Sequence, residues 1–384
     1  MTFRLTEEQL MIQSMVRELA RKEFAPKAGE RDRTGEYPLE NLQKLSQLGL
    51  MGMMVPPEYG GSGADTVSYA LALTEVAYAC ASTAVIMSVQ NSIVCESLLN
   101  YGTEEQKELY LTSLAKGDIT GAFALTEPSA GSDPVKQRTR AILKDKNYVL
   151  NGRKRFITNA KNAGLIIVTA KTDEEKRHKG ITAFLIKKDN PGLMVGPLEA
   201  KMGLCASDTA DLIFEDCLVP AVDRLGHEGQ GFLIAMKGLD GGRIGIAAQS
   251  VGVAQAALDA AIQYAGEREQ FGQTISKFQG LRWMVADMAT EIEAARLMTF
   301  SAAEKKDQGE NYTVQASMAK LYASEMVNRV TAKALQMHGG YGFIKDYPVE
   351  RLYRDARVFT IYEGTSEIQR IVISDHIFQD KRKY

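Results

Sequence analysis

The spacing of apolar residues changes twice along this chain, and that double change limits the folds open to it. From Glu7 to about Leu114 the spacing is helical: Leu10, Ile12, Met15, Val16 and Leu19 recur with a period of about 3.6, and Leu71, Leu73, Val76 and Ala77 begin another such face. The glycine-rich stretch Tyr59–Asp65 interrupts this block as a loop, and helices resume near Thr66. Between Gly121 and Pro220 the rhythm gives way to short runs of branched and aromatic residues, Tyr148–Leu150, Arg155–Thr158, Leu165–Val168, Ile181–Ile186 and Leu212–Phe214, which predict strands. Asn151-Gly152, Lys188–Gly192 and Glu215-Asp216 read as turns between them, with no helical pattern interposed, so the sheet is expected to be mainly antiparallel. After Gly231 the helical pattern returns, with closely packing alanine faces at Ala247, Ala248, Ala254, Ala256, Ala257, Ala260 and Ala261. The expected class is multidomain α+β: an N-terminal helical domain over 1–120, a middle antiparallel β domain, barrel or sheet, over 121–229, and a C-terminal four-helix-bundle-like domain over 230–384. No repeat or linker tract separates the blocks, so they are expected to pack as one body.

Composition narrows the partners. Apolar residues at 45% and charged residues at 24% describe a soluble globular protein. Forty-six basic against 48 acidic side chains leave a net charge of -2, which recruits neither nucleic acid nor an anionic membrane, so an anionic ligand must be held by local basic residues. No apolar run approaches a membrane span, the best being strand-sized Gly164–Ala170. The first 24 residues carry Glu7, Glu8 and Glu18 and read as an amphipathic helix that stays on the mature protein, not as a leader. Cys80, Cys95, Cys205 and Cys217 lack CxxC spacing and have apolar neighbours, which predicts buried thiols, a reducing compartment and a cytoplasmic location. His178, His227, His338 and His376 show no ligand spacing, so no metal is expected. A Rossmann glycine motif, a P-loop, HExxH and GxSxG are all missing, which disfavours a nicotinamide dehydrogenase of the Rossmann type.

Six polar segments remain, each with an ordinary structural reading. Phe123–Asp133 reads as a surface loop, although its small residues would let a planar or anionic ligand approach the backbone. Arg155–Ala160 is a strand end. Asp240 and Arg243, one helical turn apart, read as an exposed ion pair. Glu267–Gly272 and Gln336–Gly342 look like helix ends closed by glycine. In Ile361–Arg370, Ser366 and Gln369 fit a capping box, leaving Glu363 and Gly364 on the preceding loop. Glu363 is then a solvated acid or, in a pocket closed by Tyr362 and apolar neighbours, a general base of raised pKa.

Together and in this order, LTEPSAGSD, RFITNA, LDGGRIGIAAQ, EREQFG, MHGGYGF and IYEGTSEIQR resemble the acyl-CoA dehydrogenase family over essentially the whole chain. The resemblance implies an FAD enzyme that oxidises acyl-CoA thioesters to trans-2-enoyl-CoA. It makes Glu363 the base for the α-proton, with its amide donating to the thioester carbonyl, and it places Tyr362 and Gly364 beside the substrate. Phe123, Leu125 and Thr126 would line the flavin, with Phe156 and Thr158 against its ring and Thr158 near N5; Phe156 stands where several relatives carry Trp. Thr365 and Glu367 would reach the adenosine half. Arg268, Gln270, Phe271, Gln336 and Gly340 match residues that reach the FAD of a neighbouring subunit, which implies a homo-oligomer, usually a tetramer. Ser132, Asp240 and Arg243 match contacts to coenzyme A, and the implied electron acceptor is an electron-transfer flavoprotein.

Within the family, branches with a base on the LDGGR helix carry it where this chain has Gly242, which leaves Glu363 as the base here. The glutaryl-CoA branch carries Arg in the helix matching Ala77–Asn100, a segment that holds no Lys or Arg in this chain. The short-chain and short-branched-chain branches look most similar, so butyryl-CoA-like substrates are expected, with isobutyryl-CoA or 2-methylbutyryl-CoA as the alternative. A helical interaction protein that keeps the fold without the chemistry is the reading from another class.

Overall fold

The structure is a computed structural model and describes residues 4–379. Its first helix, Glu7–Leu19, opens with a capping box in which the Gln9 amide donates to the Thr6 hydroxyl and the Thr6 amide to the Gln9 side chain. Val16 is buried and Ile12 and Leu19 pack beneath it, but Leu10 and Met15 point to solvent. The buried position goes instead to Gln9, whose side-chain amide donates to Asp65 at 2.9 Å. Asp65 in turn caps the next long helix, Thr66–Ala79, by accepting from the Ser68 amide. The same helix start is capped from far along the chain: Asp307 accepts from the amides of Thr66 at 2.8 Å and Val67 at 3.2 Å.

The middle block is an eight-stranded sheet in the order β6-β7-β3-β2-β4-β5-β8, with β1 off this path and paired with β4. Its strands are β1 Thr120–Ala124, β2 Arg140–Lys144, β3 Asn147–Thr158, β4 Ala163–Lys171, β5 Ile181–Lys187, β6 Leu193–Leu198, β7 Thr209–Pro220 and β8 Arg224–Leu225. Most pairs are antiparallel, but β1 runs parallel to β4 and β2 touches β4 in parallel at Arg140 and Lys171, so the sheet is mixed. Two expected turns are absent. Asn151-Gly152 lies inside β3 and Glu215-Asp216 inside β7, where they face each other across one bulge. The Asn151 side chain donates to Asp216 and accepts the Asp216 amide, while Gly152 and Asp216 take positive φ. Residues that tolerate turn geometry also tolerate a bulge, so the local signal did not separate the two.

The apolar run of β4 is buried on both faces. Ile166 and Val168 enter the interior of the sheet, while Leu165 and Ile167 meet Val94, Leu98, Leu111 and Ile234 of the helices. This second contact fastens the three blocks into one body. The helix Gly231–Glu267 begins where the periodicity predicted and runs through the bundle beside Gln279–Asp307 and Thr313–Met337. By length and composition it is long and apolar enough to cross a membrane, which corrects the reading that no segment approaches one. Most of its apolar window is buried, so its character is that of a core helix. Of the four cysteines, Cys80, Cys95 and Cys217 are buried as expected, whereas Cys205 is only half-buried.

Glycine sets how closely this helix approaches its neighbours. A Cβ on Gly252 would run into the backbone carbonyl of Thr74. Gly252→Ala gains helix propensity, roughly 0.5–1 kcal/mol, but overpacks a backbone contact that cannot yield, at a cost of roughly 1–3 kcal/mol. The variant is expected to unfold at lower urea than the parent, and a higher midpoint would show that the two helices can separate freely.

Candidate active site

Glu363 lies on the loop between a 3-10 turn at Arg357–Thr360 and the helix Ser366–Gln379. Neighbours hold this loop from three directions. Tyr362 stacks on Phe359, and its hydroxyl donates to Gln249 Oε1 at 2.8 Å; Gln249 passes the link on by donating to the Ala81 carbonyl. Gln369 donates to the carbonyls of Glu363 and Gly364, and Lys320 Nζ donates to the Gly364 carbonyl at 2.6 Å. The expected capping box does not form. The cap is Thr365, whose hydroxyl accepts the Ile368 amide; the Ser366 hydroxyl has no partner, and Gln369 turns back to hold the loop.

The clamps sustain an unusual backbone. Glu363 has φ +54°, a left-handed conformation that costs about 1–3 kcal/mol for an ordinary side chain and persists only when its surroundings impose it. The residue is half-buried as a whole, yet its Oε2 is enclosed and unpartnered, beside Ile93 and 2.6 Å from where a Cβ on Gly242 would stand. Burial pushes the carboxyl up to about 7, against a downward pull from Lys320 and Arg243. Among the described residues no cation lies within salt-bridge distance of it, and its backbone amide donates to no protein group.

Asp240 and Arg243 are buried, not exposed. Arg243 Nη1 donates to Asp240 at 2.7 Å and to Ser317 at 3.3 Å, while Asp240 accepts from Thr313. Arg243 Nε is buried without a partner, which leaves one directed donor for a ligand.

The Phe123–Asp133 segment is also more constrained than a surface loop. Lys154, fully buried, donates to the Leu125 carbonyl at 3.0 Å, Glu127 at 2.8 Å and Gln137 at 2.9 Å. The Glu127 carboxylate also accepts the amides of Arg138 and Thr139, and the Arg155 amide donates to Thr126. Phe123, Leu125 and Thr126 at the end of β1 are thereby tied to Phe156 and Thr158 at the end of β3. Phe156 has φ +59° and is 58% exposed, with the Arg155 guanidinium 4.7 Å from its ring centroid. Ser132 is exposed farther along the same loop.

A cleft of about 500 Å³ gathers Arg268, Gln270, Gln336 and Gly340 with Tyr264, His338 and Tyr341. Its lining includes neither Glu363 nor the strand ends that carry Phe123–Thr126 and Phe156–Thr158. Phe271, 92% exposed, projects outside it. The helix before it ends at Glu267, and Phe271-Gly272, both with positive φ, form the turn of a two-residue hairpin between Gln270 and Gln273; this glycine therefore closes a hairpin and not the helix. Gly339, with φ +58°, does stand just past the end of Thr313–Met337. Thr365 is engaged as the cap, and Glu367 is exposed beside Arg370. Lys320, Gln249, Lys154 and Glu127 stand outside the site residues that the motifs single out. For Lys320 a signal existed: it falls on the helix face formed by Ala316, Ser317, Ala319 and Ala323, where a lysine is out of place.

Known families, proteins and structures match the chain over nearly its whole length. Models of the acyl-CoA dehydrogenase N-terminal, middle and C-terminal domains match residues 6–118, 122–217 and 229–378. The chain is 51% identical over 380 residues to the short-chain specific acyl-CoA dehydrogenase of Clostridium acetobutylicum, covering 99% of this chain and 100% of the relative. The solved butyryl-CoA dehydrogenase of Megasphaera elsdenii superposes with a TM-score of 0.97 at 44% identity, covering 98% of this chain and 100% of that one. A chain from a structure described as the electron transferring flavoprotein of Acidaminococcus fermentans superposes with a TM-score of 0.98 at 48% identity, covering 99% and 100%.

An enclosed carboxyl of this kind has a direct signature. Isotope-edited infrared spectroscopy should find a protonated Glu363 band that disappears as pH rises through about 7 and is missing in Glu363→Gln. A band already lost near pH 5, close to an unperturbed glutamate, would show that the carboxylate is solvated.

Proposed function

The chain belongs to the acyl-CoA dehydrogenase family of flavin-dependent oxidoreductases, and from that premise we propose that it converts a short-chain acyl-CoA to the trans-2-enoyl-CoA with Glu363 as the base. The observation that carries this reading is the enclosed, unpartnered Oε2 of Glu363, a burial that pushes the carboxyl up to about 7. A general base works best with a pKa near the operating pH, and this one has no competing partner for the proton. It also argues against a scaffold that has lost its chemistry, since an enclosed carboxylate without a function only destabilises the fold.

The residues present fit FAD. Phe156 keeps an exposed aromatic face on a strained backbone beside Leu125, Thr126 and Thr158, and Arg268 in the 500 Å³ cleft has no carboxylate partner among the described residues. When bound, FAD supplies the acceptor for the β-hydride. Glu363 accepts the α-proton, and its free amide is available to the thioester oxygen as negative charge develops there. Arg243 Nε offers a donor to the coenzyme A portion, with Asp240 holding the guanidinium in place. One turn beyond Gly242 the hydroxyls of Tyr69 and Ser88, 3.1 Å apart, close onto Gly245, which limits depth on that side and favours a short acyl chain. The similarity to the short-chain and butyryl-CoA enzymes supports the same choice. An electron-transfer flavoprotein as acceptor is supported by the Acidaminococcus structure. A homotetramer would let the Arg268–Gly340 cleft of one subunit hold the FAD of another.

Glu363→Gln should retain FAD and acyl-CoA binding while losing turnover by roughly 10²–10⁴-fold. A variant that keeps more than about a tenth of kcat, an effect under ~1.4 kcal/mol, would remove Glu363 from the role. In the parent, the rate should rise with pH through about 7, because only the ionised carboxylate accepts a proton. Anaerobic flavin bleaching over butyryl-, isobutyryl-, 2-methylbutyryl- and octanoyl-CoA fixes the chain preference.

Arg268→Ala should lower FAD retention and oligomer stability together, since a cofactor bridging two subunits links its binding to assembly. Gel filtration with and without FAD reads both; a fully flavinated monomer would overturn the shared site.

A further inference from the structure

We propose that Lys320 is a positioning residue for the reaction, clamping the loop that presents Glu363 and supplying the positive charge that stabilises its carboxylate. The inference rests on Glu363 being the base. Lys320 has no exposed surface and sits among buried Ala316, Ser317, Ala319, Ala323 and Ser324 on the helix Thr313–Met337. Filling that space needs only an apolar side chain, and a lysine there is costly unless its charge is used. Its hydrogen bond goes not to a carboxylate but to the Gly364 carbonyl, at 2.6 Å, a carbonyl that Gln369 also holds at 2.9 Å. Two donors on one carbonyl fix the Gly364–Thr365 peptide, and Gln369 also holds the carbonyl of Glu363 itself, so the backbone that presents Glu363 is tied down on its C-terminal side. They oppose relaxation of its left-handed φ of +54° and of the adjoining Gly364 at +88°.

The charges around Glu363 separate Lys320 from its neighbours. From the helix Gly231–Glu267 comes Arg243, which is paired with Asp240 at 2.7 Å and pulls the Glu363 carboxyl down less than Lys320 does. From the helix Thr66–Ala79 comes the neutral hydroxyl of Tyr69, and Tyr362 is neutral as well. From the following helix comes Glu367, and from Lys320's own helix Glu325; both are more open to solvent and therefore screened. Lys320 makes no ion pair among the described residues, so its charge remains available to Glu363. Burial lowers the Lys320 ammonium to about 8, and the strongest influence holding it up is Glu363. The two groups thus stabilise each other's charged forms without touching.

Three variants of the FAD-loaded protein test this, read by the pH dependence of flavin reduction in anaerobic single turnovers with butyryl-CoA and by infrared titration of the Glu363 carboxyl. Lys320→Gln keeps a donor for Gly364 but removes the charge; the acidic limb and the infrared midpoint should both move up by about one pH unit or more, with the high-pH rate largely retained. Lys320→Met removes charge and clamp; it should show the same shift and also lose about tenfold or more of the high-pH rate through misplacement of the base. Lys320→Arg should leave the limb in place. An unmoved limb and midpoint in flavinated Lys320→Gln and Lys320→Met would overturn the proposal, as would a Lys320→Gln that fails to fold, because the charge is held to serve the loop and not the fold. If Glu363→Gln stays active, the assignment of the base fails instead, and the two failures are distinct.

Discussion

The structure depends on how closely other backbones can approach the helix Gly231–Glu267. Its small residues remove the side-chain layer that normally separates packed helices. Gly252 admits the backbone of Thr66–Ala79, while Gly241 and Gly245 admit the segment carrying Ser88, Ser92 and Glu96. At Gly242 the approaching group is not a helix but the carboxylate of Glu363. One glycine face therefore packs the core at one end and makes room for an enclosed carboxylate at the other. Gln249, on the same helix, joins the two functions by linking Tyr362 to Ala81.

Three buried cations lie in and around the candidate site, and each is satisfied differently. Lys154 has a carboxylate, a backbone carbonyl and an amide oxygen, which makes it a rigid post behind the Leu125–Glu127 segment. Arg243 has one carboxylate and a free Nε, so it is anchored but still able to bind. Lys320 has a carbonyl and no carboxylate, so its charge is largely uncompensated locally. A fully paired buried ion orders its surroundings, whereas an incompletely paired one projects a field.

Periodicity located the large elements well, because a long amphipathic or alanine-rich run leaves a signal that tertiary packing rarely reverses. Thr66 and Gly231 start helices where the pattern changes. Short-range signals were ambiguous where one backbone conformation serves two purposes: Asn151-Gly152 made half a bulge instead of a turn, and Gly272 closed a hairpin instead of a helix. In the site, the resemblance pointed to Glu363, and the structure encloses that carboxyl and raises its pKa by burial. What no local pattern displayed was the long-range support, because Lys320 reaches Gly364 across 44 residues and Gln249 reaches Tyr362 across 113.

The cap on Thr66 and Val67 has a consequence for the order of synthesis. Asp307 supplies it from 241 residues downstream, so the N-terminal helices leave the ribosome with their most interior helix start unfinished. At a translation rate of roughly 5–20 residues per second, that gap lasts on the order of ten to fifty seconds. During it the nearly all-buried face of Thr66–Ala79 lacks the long helix that later covers it. The first block of this chain therefore carries an apolar helix without its final cover and cap until the C-terminal helical block has been made.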